Sequence, residues 1–349
     1  MTVTAHIITD RDQWNDLMRD LPYAHILQSW EWGDFKQQTI GWIPQRIAYR
    51  REGQIVAGAS VLTRKVFGLR VMYIPKGPAM DYSDSALVEA VLHDLQTRAK
   101  GALWLKIDPD VVIGYGVPDS DDDQPQPIGN AVIHQLQAQG WQFSDDQVQF
   151  RNTITLDLTP DDETLLMQMS QNTRRKVRTA EKKGVSVRVG TEADLPTLYQ
   201  LYKLTGERDD FLIRPPEYYE KAWRDFMRAG LAHVLIAEAE GQAIAHVILF
   251  HFGRTCWYFY GASSNEERNR MPNYLLQWEA MQWAKSRGYT VYDMWGAPDR
   301  FDESDSMWGV YEFKRGFRGD VTRYIGAWDY MPNQWLYGLY VRVRKLMRR

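Results

Sequence analysis

Residues 51–62 read REGQIVAGASVL, and residues 239–250 read AEGQAIAHVILF. Each stretch contains Glu-Gly-Gln, followed three residues later by an alanine, at Ala57 and at Ala245, and then by an apolar run. Self-similarity at so long a period indicates a duplicated domain rather than a solenoid. Because ligands tend to bind in clefts between domains, two copies of one scaffold also predict a shared binding cleft.

The similarity continues downstream of these stretches. An amphipathic helical pattern follows in both copies, and then an apolar strand that opens with Gly101 in one copy and Gly288 in the other. Each copy therefore reads as helix, strands, helix, strand, an order that predicts an α/β fold of two tandem GNAT-like acyltransferase lobes. We place the first lobe at 1–148, completed by the C-terminal segment 318–349, and the second lobe at 149–317.

The composition is that of a soluble globular protein, with 44% hydrophobic and 25% charged residues among 349. A net charge of −3 gives no overall field that favours nucleic acid. The single cysteine, Cys256, excludes a disulfide framework and fits a reducing compartment. The N-terminus has no signal-peptide pattern, and the seven histidines show no metal-ligand spacing. We expect a cytoplasmic protein without a metal or cofactor, at most peripheral to the inner face of a membrane.

A coenzyme A site is not indicated. GNAT proteins that use an acyl-coenzyme A hold its pyrophosphate on a glycine-rich turn at a helix N-terminus. The matching stretch of the second lobe, Asn265–Asn273, contains no glycine, and Lys76–Pro78 in the first lobe is an equally poor cradle. The sequence therefore favours a different acyl donor.

Several motifs along the chain form an ordered set. They are QSWEWGDFK (Gln28–Lys36), YIPKGP (Tyr73–Pro78), NTRRKVR (Asn172–Arg178), Glu207-Arg208 with Phe211, Arg214 and Tyr218, YGA (Tyr260–Ala262) and YEFKRGF (Tyr311–Phe317). This set resembles the FemABX family of non-ribosomal peptidyltransferases over nearly the whole chain. The resemblance implies transfer of an amino acid (Gly, Ala or Ser) from aminoacyl-tRNA to the stem-peptide amine of a UDP-linked or lipid-linked peptidoglycan precursor. The second lobe lacks long heptads, which indicates the compact FemX-like subtype without a coiled-coil arm.

The resemblance also implies roles for individual residues in the transfer. Attack of an amine on an aminoacyl ester forms an oxyanion, which requires a fixed positive charge or aligned donors. Lys314 is carried over as the stabiliser of the oxyanion or the tRNA terminus, and Phe313 as its packing partner. Alternatively, Lys314 and Arg315 form a solvated loop. Asp108, at the end of an apolar strand, is a candidate base, although capping of a turn explains it equally well.

Binding residues follow from the same resemblance. Lys36, Arg214 and Tyr218 are assigned to the sugar-diphosphate end of the acceptor, because cations suit phosphates. The alternative for Lys36 is a helix-surface lysine lying over Trp32. Four cations of the most basic segment are assigned to tRNA, although the sequence spreads them over more than one side of a helix: Arg174, Arg175, Lys176 and Arg178. The alternative there is a plain solvated helix.

The C-terminal tail, Tyr340–Arg349, is basic and apolar together. It is a candidate for peripheral contact with anionic lipid, or alternatively a helix docked on the first lobe. Two rival functions remain open at this point. One is a GNAT-type, acyl-CoA-dependent N-acyltransferase acting on a polysaccharide or lipid, and the other is a non-catalytic module that binds peptidoglycan precursors.

Overall fold

The structure is a computed structural model that describes residues 2–335, 337 and 338. Its strands are β1 (Val3–Ile7), β2 (Ile43–Arg51), β3 (Gln54–Val66), β4 (Leu69–Ile74), β5 (Ala79–Met80), β6 (Ala102–Ile107), β7 (Val112–Tyr115), β8 (Gln124–Pro125), β9 (Trp141–Phe143), β10 (Asn152–Asp157), β11 (Ser186–Val189), β12 (Ala232–Ala239), β13 (Gln242–Phe252), β14 (Thr255–Ser263), β15 (Val291–Asp293), β16 (Asp320–Tyr324) and β17 (Trp328–Tyr330).

The α-helices with fully described bounds are α1 (Arg11–Asp20), α2 (Trp30–Ile40), α3 (Ser85–Arg98), α4 (Pro127–Ala138), α5 (Asp162–Gln168), α6 (Gln171–Lys182), α7 (Leu195–Arg208), α8 (Pro216–Arg228), α9 (Pro272–Ser286) and α10 (Trp308–Lys314). Short 3-10 helices occupy Ile26–Gln28, Glu192–Asp194, Arg268–Arg270 and Arg315–Phe317. The predicted α/β class is confirmed.

The chain forms two compact units. The first contains the residues up to Arg151 and the described residues from Thr322 onward, and the second contains Asn152–Val321. The second lobe predicted at 149–317 differs from this unit by three residues at its start and four at its end. Within the described residues of the second unit the longest helix is α9, with 15 residues, so this unit carries no coiled-coil arm. None of the helices in the described part of the chain is long and apolar enough to cross a membrane.

The first unit is built on a sheet with the strand order β1-β2-β3-β4-β6-β17-β9. Adjacent strands in this sheet are antiparallel except for β4 and β6, which run parallel and are connected through α3. The apolar positions of α3 recur at helical spacing and are buried in the core against the sheet: Leu87, Val88, Val91, Leu92 and Leu95. Burial of each such side chain contributes roughly 1.5–3 kcal/mol, so this face fixes the helix on the sheet.

The second unit repeats this arrangement with the strand order β11-β12-β13-β14-β15-β10. Here β14 and β15 are the parallel pair, and α9 is the helix between them. α9 contacts β12 and β13, and buries Leu275, Leu276 and Met281. In both units, therefore, the strand after the crossover helix ends next to a parallel neighbour, and Asp108 and Asp293 lie at these two strand ends.

The repeated Glu-Gly-Gln stretches form the same hairpin in both units. The two turn residues have φ angles of 52° at Glu52 and 81° at Gly53, and of 52° at Glu240 and 78° at Gly241. Positive φ at both positions is the pattern of a type I′ turn, whose twist matches that of the flanking strands. The register shifts two residues before the turn in both hairpins. The sequence repeat thus corresponds to a structural repeat down to the backbone of the turn.

Candidate active site

The last turn of α10 buries a lysine. Tyr311, Lys314 and Phe317 are buried at a spacing of three residues, which places them on one face of the helix and its 3-10 extension. Lys314 is only 2% exposed. Its neighbour Arg315 points outward and pairs with Glu312 at 2.9 Å. The solvated-loop alternative is therefore wrong for Lys314, and for Arg315 it is correct only in the exposure of the side chain, because Arg315 begins a 3-10 helix.

Two main-chain carbonyls hold the ammonium group of Lys314. Its Nζ donates to Trp295 O and to Gly296 O, both at 2.7 Å. Trp295 and Gly296 have φ angles of 53° and 88°, so the chain after β15 makes two consecutive left-handed residues and turns both carbonyls toward the lysine. A protonated lysine has three N–H donors, and two are used here. One donor therefore has no hydrogen-bond acceptor among the described residues, and Nζ lies 5.9 Å from the ring centroid of Tyr258.

Asp293, the last residue of β15, organises this turn. Its Oδ1 accepts from Thr153 Oγ1 at 2.5 Å and from Trp295 N at 2.7 Å. Burial lowers the pKa of Lys314 from its ordinary value to about 7, and the negative charge of Asp293 opposes this shift. The lysine therefore titrates near neutrality, where its charged and neutral forms are both populated.

The lowered pKa of Lys314 predicts a pH dependence of stability. Between pH about 7 and 10 the folded protein binds fewer protons than the unfolded chain, so the free energy of unfolding should rise with pH in this window. Lys314→Met should lack this increment, which we expect to be on the order of a few kcal/mol. Urea unfolding of both proteins at pH 6.5, 8 and 9.5 measures the difference, and parallel pH profiles would contradict it.

Phe313 belongs to an aromatic cluster beneath the Lys314 segment. Its ring centroid lies 5.0 Å from that of Tyr274 on α9 and 5.3 Å from that of Phe317. Lys176 of α6 donates to the hydroxyl of Tyr274 at 2.8 Å and lies 4.5 Å from its ring centroid. The ring contacts of Phe313 are thus with Tyr274 and Phe317, and its role as packing partner of Lys314 stays a prediction. Lys176 contacts the same cluster through Tyr274.

Asp108 is buried in a polar cluster of the first unit. Its Oδ2 accepts from the Tyr73 hydroxyl at 2.7 Å, and its Oδ1 accepts from Lys76 N at 2.5 Å. Burial raises the pKa of Asp108 to about 6, although the charge of Lys76 acts in the opposite direction. Its carboxylate binds residues of the Tyr73–Pro78 motif and not the backbone of its own turn, and its role as a base stays a prediction.

Two charged residues complete this cluster, Lys76 and Asp110, and neither was predicted from the sequence as a site residue. Lys76, only 5% exposed, donates from Nζ to Asp110 Oδ1 at 2.6 Å and to Phe150 O at 3.2 Å. Burial raises the pKa of Asp110, and Lys76 opposes that shift. The available signal was the Pro-Lys-Gly-Pro sequence, in which flanking prolines restrict the backbone around one lysine.

The residues assigned to the acceptor are divided between the two units. In the first unit, Lys36 Nζ lies 4.3 Å from the ring centroid of Trp32, as in the surface-lysine alternative. In the second unit, the guanidinium of Arg214 lies 4.7 Å from the ring centroid of Tyr218. Burial raises the pKa of Tyr218, and the charge of Arg214 opposes this. Both cations therefore have an aromatic support, and their role in acceptor binding stays a prediction.

The basic segment forms α6, and its cations lie on two sides of this helix. Residues with helical spacing line one shallow depression on its surface: Gln171, Arg174, Arg175, Arg178, Thr179 and Lys182. Lys176 and Lys183 lie outside it. The cations therefore lie on more than one side of the helix, as expected from the sequence: Arg174, Arg175, Arg178 and Lys182 line the depression, and Lys176 and Lys183 do not. The basic tail Tyr340–Arg349 lies outside the described residues.

The sequence matches a known protein family. The model of the FemAB family matches residues 9–243 and 234–345, which together span most of the chain. The chain belongs to the FemAB family. This FemAB-family protein is 28% identical over 400 aligned positions to "Lipid II:glycine glycyltransferase" of Staphylococcus aureus (strain USA300), with 93% of this chain and 92% of the relative covered. The resemblance inferred from the motifs is confirmed.

Solved structures agree with this assignment. The FemAB-family protein matches a crystal structure of FemX with a TM-score of 0.85 and 26% identity, covering 97% of this chain and 99% of that one. A tandem GNAT protein from the clavulanic acid biosynthesis pathway matches with a TM-score of 0.55 and 14% identity, covering 95% of this chain and 99% of that one. The prediction of two tandem GNAT-like lobes is thereby confirmed.

Proposed function

We propose that this protein transfers an amino acid from aminoacyl-tRNA to the stem-peptide amine of a peptidoglycan precursor and so forms the interpeptide bridge. The observation that carries the proposal is the buried Lys314, held by two carbonyls with one N–H donor remaining, in a chain that is similar over nearly its full length to a lipid II:glycine glycyltransferase. This relative favours glycine and a lipid-linked acceptor over the other candidates, alanine, serine and a UDP-linked precursor.

The transfer reaction requires a hydrogen-bond donor such as Lys314 to stabilise its oxyanion. The neutral amine attacks the ester carbonyl of the aminoacyl-tRNA, a C–N bond forms, and the carbonyl oxygen becomes an oxyanion. Collapse of this intermediate breaks the ester C–O bond, and the released ribose oxygen takes up a proton while the new amide nitrogen loses one. The remaining N–H of Lys314 is suited to stabilise the oxyanion in a site with little water. Asp108, with a pKa raised to about 6, is the candidate acceptor of the amine proton.

The N-termini of two helices support an acyl donor other than acyl-coenzyme A. α9 begins with Pro272, which has no N–H to offer, and the preceding Arg270 is paired with Glu267 and Glu240. The N-terminus of α3 is already occupied by the carboxylate of Asp84, which accepts from Leu87 N. A phosphate at either place would find fewer free amides than a coenzyme cradle provides.

A transfer assay tests the proposal. Radiolabelled glycyl-, alanyl- and seryl-tRNA are each incubated with the protein and with either lipid II or the UDP-linked pentapeptide. We expect label in lipid II from glycyl-tRNA, and no transfer from acetyl-coenzyme A under the same conditions. Label from acetyl-coenzyme A would favour the GNAT-type alternative. Precursor binding without transfer from any of the three tRNAs would favour the non-catalytic module.

A further inference from the structure

The surface of α6 carries a depression built from cationic side chains. Its volume is about 390 Å³, and its lining contains three arginines, one lysine and two neutral polar residues but no acidic or apolar side chain. The lining residues follow one another at intervals of three or one along the helix, so they form a single face. Such a concave, purely polar and cationic face is suited to bind a row of anionic groups.

The cations of this face differ in the hydrogen bonds that they make within the protein. Arg174 donates to the carbonyls of Met167 and Met169, so it helps to hold the preceding helix. Arg175 donates to Asn172 at 2.9 Å. Arg178 and Lys182 are exposed and have no hydrogen-bond or ion-pair partner within the part of the chain that the structure describes. These two side chains are therefore the ones most available to a ligand.

RNA phosphates fit this face better than a membrane surface does. Guanidinium groups present paired donors that match phosphodiester oxygens, and three of the four cations are arginines. A membrane-bound helix instead needs large apolar side chains that enter the lipid beside its basic residues. The lining of the depression offers none.

Lys176 lies on a different side of α6 and is tied to the Lys314 segment. Its Nζ contacts the hydroxyl and ring of Tyr274, and the Tyr274 ring packs against Phe313 at 5.0 Å and Phe317 at 6.0 Å. These two phenylalanines flank Lys314 in the sequence. Lys176 therefore supports the residues on either side of the proposed oxyanion stabiliser.

The N-terminus of α6 makes a second connection to the same segment. Ser170, the N-cap of α6, donates from its backbone N to Gly316 O at 2.9 Å. A Cβ at Gly316 would lie 2.4 Å from Thr173 Oγ1, so only glycine allows this close approach. α6 is thus attached to the Lys314 segment both at its N-cap and through Lys176.

We propose that α6 divides two tasks between its sides: its exposed face (Arg175, Arg178 and Lys182) binds backbone phosphates of the acceptor arm of tRNA, while Lys176 positions the Lys314 segment. The proposal rests on the function proposed above, and it removes Lys176 from the set of tRNA contacts expected from the sequence. Because one helix performs both tasks, docking of the RNA and placement of the transfer lysine are connected by a single rigid element.

The exposed face is tested by direct RNA binding without any transfer. An uncharged, fluorescently labelled acceptor-arm minihelix is titrated at several KCl concentrations with the parent and with Arg178→Glu and Lys182→Glu. We expect each variant to bind about five- to tenfold more weakly at moderate salt, with the salt slope reduced by about one. Lys183→Glu is the matched control: the same charge change at the next residue, whose Nζ is bound to Asn269 O at 2.7 Å, should leave binding unchanged.

The positioning role of Lys176 is tested by turnover at saturating tRNA. Lys176→Met and Tyr274→Phe should each lower kcat by about tenfold while RNA affinity stays at the parent value. The double variant should lose no more kcat than either single variant, because both substitutions remove the same hydrogen bond, from Lys176 to Tyr274. Lys176→Arg, which keeps a donor near Tyr274, should restore most of kcat and excludes a mere folding defect.

Opposite results overturn the proposal. Parent-like RNA affinity and salt slope in both Arg178→Glu and Lys182→Glu would refute the phosphate site. The site would also be refuted if these two residues were needed for binding to phosphatidylglycerol vesicles and the protein did not bind the RNA. If Lys176→Met weakens RNA binding and leaves kcat intact, Lys176 is a contact and not a positioning residue. Since the binding assay contains no acceptor and no aminoacyl group, its result does not depend on whether transfer occurs.

Discussion

Replacing Lys314 by methionine is expected to lower the turnover of aminoacyl transfer by on the order of 10²–10³-fold, the typical cost of losing one oxyanion donor. The substitution keeps the length and apolar stem of the side chain but removes all three N–H donors. Two of these bind Trp295 O and Gly296 O, and the third is the one proposed for the reaction. Single-turnover transfer with saturating acceptor and tRNA measures the rate directly.

The neighbouring arginine provides the control for this variant. Arg315→Met changes the next residue of the same motif, but its side chain is exposed and, within the described residues, is paired only with Glu312. We expect turnover close to that of the parent, since exposed ion pairs contribute little. If Lys314→Met stays within a few-fold of the parent rate while its pH-dependent stability changes as expected, Lys314 is buried for another reason and is not the transfer lysine.

The second large effect is expected on acceptor affinity. Lys36→Met and Arg214→Gln should each raise the apparent KM for the precursor by roughly 10- to 100-fold, since a hydrogen bond between charged groups contributes about 1.5–3 kcal/mol. Turnover at saturating precursor should change little, because the charge of a diphosphate is the same in the ground state and the transition state. Methionine at 36 retains the aliphatic stem that packs over Trp32.

A second stacked arginine serves as the control for acceptor binding. The Arg64 guanidinium lies 4.6 Å from the ring centroid of Trp42, close to the geometry of Arg214 over Tyr218. Arg64→Gln removes an equivalent cation–aromatic contact from a residue with no assigned role, so it should leave the precursor KM unchanged. Calorimetry that finds parent-like precursor affinity in both Lys36→Met and Arg214→Gln would place the acceptor site elsewhere.

Local patterns explain why much of the fold was predictable from the sequence. Glu-Gly between two apolar runs specifies a two-residue turn with positive φ, and Asp10 before α1 accepts from Gln13 N as an N-cap should. The division of the α6 cations between two sides of the helix was also predictable, because residues 174, 175, 178 and 182 share one face by helical spacing and residues 176 and 183 do not.

The charged interior was not predictable from local patterns. Whether a lysine is buried depends on partners brought together by tertiary structure, and for Lys76 and Lys314 these are Asp110 and two main-chain carbonyls. The residues next to either lysine in the sequence belong only to its own helix or turn, so they do not include these partners. Asp293 was missed for the same reason, since its partner Thr153 comes from β10, distant in the chain but adjacent in the sheet.

The place of β17 in the first sheet has a consequence for biosynthesis. β17 pairs with β6 on one side and β9 on the other, and its Asp329 lies 3.0 Å from the buried ammonium of Lys106, 223 residues earlier in the chain. During translation, the second unit, which is continuous, is complete before this strand leaves the ribosome. The part synthesised first thus finishes folding last, and until then its sheet has a gap and Lys106 lacks its counterion.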